Sequence, residues 1–390
     1  MREVTAFESA SHRLLLRAGY VRQVAAGIFA LLPLGHRAAA KVEQVVREEI
    51  DAIGGQELSM PVVHPAEPWK LSGRWDAIDE TLVRFRDRRG HDMVLAMTHE
   101  EIVAFLAATD VTSYRQLPQL IYQFQTKFRD EARPRAGLLR VREFTMKDSY
   151  SLDVDEDGLR AQYAAHYHAY FRIAARAGLP VVAVASDVGI MGGRVAHEFM
   201  YVTPIGEDTL VICEHCGYSA NAEVAAYVRR ERDETEQPAE RRATPETTTI
   251  EDVARLLGEP PERILKTVAY VAELEGRRAV VVAVVPGDRN VNETALAHAV
   301  AARELRAATQ ADVDGTGLVL GYASPVGIDG ERVIVVADPE VATMRDAVAG
   351  ANAPGEHIVH TSYGRDFTAR VVAGIASAYA GAPCAQCGEP

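Results

Sequence analysis

Two runs of strand-forming residues, 120–128 and 138–146, are joined by the loop RDEARPRAG, which contains Pro134 and Gly137. A hairpin closed by so long a loop commits its surroundings to an antiparallel sheet rather than a βαβ unit. The flanking sequence agrees. Val42, Val45, Val46, Ile50 and Ile53 predict an amphipathic helix over 36–53, stopped by Gly54 and Gly55. Residues 57–63 read as a strand, and Pro61, which lacks an N–H, places it at an edge or interface. A hairpin over 81–87 and 92–97 turns at 88–90. A helix then starts after Thr98, a good N-cap, with Glu100 and Glu101 in its first turn. A helix over 157–177 and strands near 180–186 and 208–212 follow.

Composition changes after Asn221. The stretch 229–249 is rich in charge, Pro and Thr and reads as a linker. Beyond it, helices near 250–257 and 293–308 alternate with β-branched strands at 267–271, 279–285 and 332–336, the pattern of a separate α+β domain. A chain of 390 residues has room for two or three domains of about 100–200 residues each.

The net charge of −13 argues against indiscriminate nucleic-acid binding. Within this acidic chain, seven Lys/Arg against three Asp/Glu between Lys127 and Lys147 leave a local +4, suited to an anionic ligand such as a phosphate. No apolar run approaches the ~18–20 residues of a membrane span. The first residues, MREVTAFESASHRLLLRAGY, lack the apolar stretch of a signal peptide, so the expected location is the cytoplasm. Four cysteines form two C-x-x-C pairs, Cys213/Cys216 in CEHCG and Cys384/Cys387 in CAQCG. In a cytosolic protein such pairs are more often metal ligands than disulfides.

The stretch FRDEARPRAGLLRVREFTMKD, Phe128 to Asp148, carries the most chemistry. It reads F-R-x-E, a loop, then R-x-x-x-F-x-x-x-D at Arg140, Phe144 and Asp148. Alternate side chains on two paired strands share one face. There an Arg suits bidentate phosphate contact, a Glu can accept from an adenine amino group and a Phe can stack on the base.

This string resembles motif 2 of class II aminoacyl-tRNA synthetases, and the 36–53 helix followed by ELSMPVV resembles motif 1. Together with TLVRFRDRRGHDMVLAMTHEEI, the chain resembles bacterial-type prolyl-tRNA synthetases from about Ser11 to its last residue. The resemblance implies an α+β fold: an antiparallel class II sheet flanked by helices, incomplete here, with an inserted α+β editing domain related to free-standing deacylases. The implied divisions are 1–220 for the catalytic core, 221–372 for the insertion and 373–390 for a return segment. It implies proline and ATP with Mg²⁺ as ligands, proline tRNA as partner, and a homodimer through motif 1.

Residue by residue, the resemblance gives Arg129 the α-phosphate and the amino-acid carboxylate, Glu131 the adenine, Arg140 the outer phosphates and Phe144 the stack on the ring. Thr98 and Glu100, in the T-x-E loop, would receive the prolyl imino group, with His197 in AHEF lining the same pocket. In the insertion, Lys266 of ILKTVAY, Asp338 of VVADPEV and His357 of GANAPGEHIVH match editing positions. Such a second site is useful because a gap of one or two methylenes between alanine and proline is worth only ~1–3 kcal/mol. The cysteine pairs bracket the insertion, so Cys213, Cys216, Cys384 and Cys387 are expected to close one structural zinc site. No G-x-G-x-x-R segment occurs, so motif 3 and an anticodon-binding domain are expected to be missing, and with them efficient proline activation by this chain alone. A trans-editing deacylase and a non-catalytic paralogue that binds tRNA or a synthetase stand as alternatives.

Overall fold

The computed structural model describes residues 9–232 and 235–390. The chain forms two compact units, Met1–Val181 and Val182–Pro390.

The first unit is organised by the hairpin of Gln119–Phe128 and Glu143–Leu152, antiparallel from Gln119↔Leu152 to Phe128↔Glu143. Its alternation decides what each face does. Leu120, Tyr122, Phe124 and Thr126 share one face. Gln123, Gln125 and Lys127 share the other with their cross-strand partners Asp148, Met146 and Phe144. The long helices Pro33–Asp51 and Glu156–Arg176 pack on each other, and Arg172 and Arg176 pair with Glu48 and Glu49 between them. Beside the polar face, Met60 packs with Ile102 and Val103 of the helix Glu100–Asp110. A second small sheet orders Val63–Pro65, Asp92–Leu95 and Arg84–Arg86 around Trp69, Ile78, Leu82 and Met97.

Several sequence expectations shift. The strand expected over 57–63 is broken at Pro61 into Gln56–Glu57, at the sheet edge beside Gln119–Phe128, and Val63–Pro65. Proline cannot donate to the ladder, and the Pro61 carbonyl is taken by two histidines instead. The second motif strand starts at Glu143, not 138. Ala136 and Gly137 have positive φ, and Arg142 N–H is held by Gly27 O at 2.8 Å, which keeps 136–142 in the loop. Gly27 belongs to an unforeseen hairpin, Val21–Ala25 with Ile28–Leu31. Its φ is +72°, and a Cβ there would meet the Pro134 Cβ at 2.8 Å, so glycine lets this hairpin buttress the loop. The N-cap of Glu100–Asp110 is His99 rather than Thr98.

The second unit holds a four-stranded sheet ordered Ala196–Tyr201, Val181–Ser186, Ser219–Asn221, Leu210–Ile212. It also holds a five-stranded mixed sheet ordered Glu304–Ala307, Leu265–Leu274, Arg277–Pro286, Val333–Ala337, Val371–Val372. The run AVVVAVV lies on its central strand. Val281, Ala283 and Val285 enter one core, Val282 and Val284 the other, which explains why that run is apolar throughout. The helix expected over 293–308 ends at Val300, where Ala301 turns left-handed, and Glu304–Ala307 is a strand. The expected linker contains the strand Glu240–Ala243, paired with Glu356–Thr361. Among the described residues no helix is long and apolar enough to cross a membrane.

Candidate active site

Arg129 lies one residue beyond the polar face of the hairpin. Its backbone N–H bonds Arg142 O at 2.8 Å, and its guanidinium lies 5.4 Å from the Phe144 ring centroid. Burial pushes that guanidinium below its ordinary pKa, and the Glu100 carboxylate opposes the shift, so the two groups share one electrostatic neighbourhood. Thr98 is buried and donates its hydroxyl to Glu100 Oε2, and Arg74 Nη1 approaches the same oxygen at 3.6 Å. Thr98, Glu100 and Arg129, the side chains named for the amino acid and the α-phosphate, are thus brought together, with Phe144, named for stacking on the adenine, against Arg129. An anionic group aimed at Arg129 and a secondary ammonium aimed at Glu100 describe the two ends of an imino acid.

Glu131 and Arg140 occupy the loop and bind each other, Nε to Oε2 at 2.9 Å. A backbone bond from Arg133 and the Arg140 contact hold the Glu131 carboxyl below its usual range. His197 stands in the second unit, on Ala196–Tyr201, and is exposed.

None of the three residues named for editing hydrogen-bonds to another of the set. Lys266 donates to Asn290 Oδ1 at 2.8 Å. His357 is buried on Glu356–Thr361, with Thr244 Oγ1 2.6 Å from its Nδ1, and burial pushes its pKa down. Asp338 is wholly enclosed and caps a short helix through Glu340 N–H. Its carboxylate also takes Arg229 Nε at 3.0 Å and the N–H groups of Ile375 and Ala376 at 3.1 and 2.9 Å. Such a carboxylate ties segments together and has little capacity left for a ligand.

The cysteines converge: Cys213 and Cys387 Sγ are 3.7 Å apart, as are those of Cys216 and Cys384, and all four lie within 4.8 Å of one another. Four thiolates around one zinc at ~2.3 Å would be about 3.7–3.8 Å apart, so the set fits the ion.

Sequence reasoning missed Lys127, His99 and Arg74 around Glu100 and Arg229 at Asp338. Lys127 was detectable in principle, since the alternation of QLIYQFQTKF puts it on the same face as Gln123 and Gln125.

Residues 83–250 match the family tRNA synthetase class II core domain (G, H, P, S and T), and residues 244–367 match the aminoacyl-tRNA editing domain. The fold is therefore a class II synthetase core joined to an editing domain. A proline–tRNA ligase of Salinispora tropica is 52% identical over 389 residues, covering 98% of this chain and 65% of the relative. One of Pelotomaculum thermopropionicum is 47% identical over 394 residues, covering 100% of this chain and 68% of the relative. The chain belongs to the proline–tRNA ligase family, and it spans about two thirds of the length of these relatives.

Proposed function

We propose that this chain provides the proline-activating site and the editing site of a proline–tRNA ligase. The observation that carries the reading is the Glu100 carboxylate beside the Arg129 guanidinium over Phe144. Arg129 holds the proline carboxylate and the α-phosphate while Glu100 and Thr98 hold the secondary ammonium. A carboxylate oxygen of proline attacks the α-phosphorus and pyrophosphate leaves, giving prolyl adenylate. A ribose hydroxyl of proline tRNA then attacks its carbonyl carbon and AMP leaves. Mg²⁺, when bound with ATP, supplies further neutralisation of the phosphates. Positioning and electrostatics perform most of this chemistry. Glu131 and Arg140 exchange their mutual contact for adenine and the outer phosphates. Family resemblance alone supports His197 as a proline-pocket residue, the divisions at 220 and 372, and a cytoplasmic site of action.

A homodimer through the Pro33–Asp51 helix belongs to the same reading. Val42 of that helix and Leu31 of the strand Ile28–Leu31 are exposed and line a 590 Å³ groove with Val46, Phe124, Leu138 and Phe144.

The test is proline-dependent exchange of pyrophosphate into ATP, by the chain alone and mixed with the part of the Salinispora relative outside the match. Exchange in either sample supports the reading. Its absence from both, with folded protein, overturns it.

For editing, the chain should hydrolyse alanine esterified to proline tRNA. Lys266→Ala should lower the rate at least about tenfold, as loss of a charged contact to the ester or tRNA end predicts. A folded unmodified chain that leaves the ester intact would remove this half of the proposal.

For zinc, elemental analysis of gently purified protein should give about one ion per chain bound by four sulfurs at ~2.3 Å. Cys384→Ser should lose the ion and lower thermal stability. Metal-free protein with unchanged stability would refute a structural zinc.

A further inference from the structure

Beneath the Thr98–Glu100 loop runs a chain of buried polar groups that the proposed chemistry does not use. Lys127 and His99 are wholly enclosed. The Lys127 ammonium bonds His99 Nδ1 and lies 3.0 Å from Asp148 Oδ1. Asp148 Oδ2 accepts from Gln123 Nε2 at 3.0 Å and from the Tyr150 hydroxyl. The Gln123 side-chain carbonyl accepts Met60 N–H at 3.0 Å. His99 Nε2 reaches Pro61 O at 3.0 Å, and His64 Nε2 reaches the same oxygen at 2.9 Å. Trp69 Nε1–H donates to His64 Nδ1 at 3.3 Å.

These partners fix the protonation of both rings. A carbonyl only accepts, so each Nε2 carries a proton. An ammonium and an indole N–H only donate, so each Nδ1 offers its lone pair. Both imidazoles are neutral. Burial lowers the pKa of His99, helped by the Lys127 charge, and burial takes His64 down to about 4. Lys127, Asp148, Glu100, His64 and the Tyr150 hydroxyl are the titratable groups around the His99 ring.

A buried ion pair is a poor way to gain stability, since apolar residues of similar size often do as well. What this one does is set by its neighbour. His99 lies between Thr98 and Glu100, and its ring is anchored at both nitrogens, to the hairpin through Lys127 and to the Pro61 turn. We propose that Lys127 and Asp148 are positioning residues for amino-acid recognition: through His99 they fix where Thr98 and Glu100 present their oxygens to the secondary ammonium. The inference rests on the ligase reading for the identity of that ammonium, but not for the state of His99.

The test uses the full chain. Lys127→Met alone strands the Asp148 charge and is expected to fold poorly. The double variant Lys127→Met/Asp148→Asn removes both charges and keeps an acceptor for Gln123 and Tyr150. Calorimetry should show proline binding weakened about tenfold to a hundredfold by a misplaced loop, with ATP affinity within about twofold. Nitrogen NMR of His99 should show the neutral Nε2–H tautomer in the unmodified chain and protonation of the ring at a higher pH in the double variant, where the Lys127 charge no longer faces Nδ1. Unchanged proline affinity in the folded double variant, or equal losses for proline and ATP, would overturn the inference. So would ordinary titration of His99 in the unmodified chain. An unmodified chain that binds no proline would overturn the ligase reading instead, and the titration of His99 would then decide the inference.

Discussion

Asp338→Ala is expected to destabilise the second unit by about 3–5 kcal/mol, because it strands a partly buried guanidinium and removes the acceptor of three backbone N–H groups. For a unit of this size that lowers the thermal midpoint by roughly 6–20 °C. At Gly374 an added Cβ would meet the Arg229 guanidinium, which would have to shift away from the carboxylate to make room. Thermal unfolding of the chain measures the effect, with Lys266→Ala as a control that leaves the midpoint nearly unchanged. A drop of under about 2 °C for Asp338→Ala would show that the knot is not structural. Asp338→Asn separates structure from chemistry. Its single amide oxygen can serve either Glu340 N–H or the Ile375 and Ala376 N–H groups but not both sets, so it is less disruptive than alanine, and where it remains folded it should still hydrolyse the mischarged ester. A folded but inactive Asp338→Asn would give the carboxylate a chemical role that its contacts do not suggest.

Arg129→Ala should lower proline-dependent pyrophosphate exchange by ~10²–10³, the cost of losing one preorganised charge at a developing anionic centre. Phe144 would keep its place on the strand, and Glu100 would keep Arg74 but lose the Arg129 charge. The loss should therefore appear in proline and ATP terms together, unlike the proline-specific loss expected for Lys127→Met/Asp148→Asn. A fall of less than about tenfold would mean that the α-phosphate is held by another cation.

The division of labour across the hairpin was legible because it is written in a period of two: apolar residues at 120, 122 and 124, polar ones at 123, 125 and 127. Helices with strong single-faced patterns, Pro33–Asp51 and Ile250–Leu257, fall within a turn of their expected limits. What failed to show has a common cause. The start of Glu143–Leu152 and the strand Glu240–Ala243 are set by partners distant in sequence, such as Gly27 O for Arg142 and the strand Glu356–Thr361. Local propensity contains no trace of them. The site shows the same split. Arg129, Glu131, Arg140 and Phe144 were visible as a spaced string. His99 hid between two residues that drew attention for their own sake, and Arg229 lay in a stretch that read as linker.

Where residues 227–228 and 383–384 run side by side, Tyr227 bridging to Cys384 and Val228 N–H bonding Pro383 O at 2.8 Å, the polypeptide leaves on one strand and comes back on its neighbour. Everything between those points is, to the residues outside them, a single long loop whose two ends are one strand spacing apart. Lengthening such a loop costs little more than the logarithm of its length. A cassette of any size, or a tight turn of a few residues, could therefore be exchanged at this junction by recombination with the same local geometry. The editing domain is thus a unit that such an exchange could acquire or remove whole at this junction.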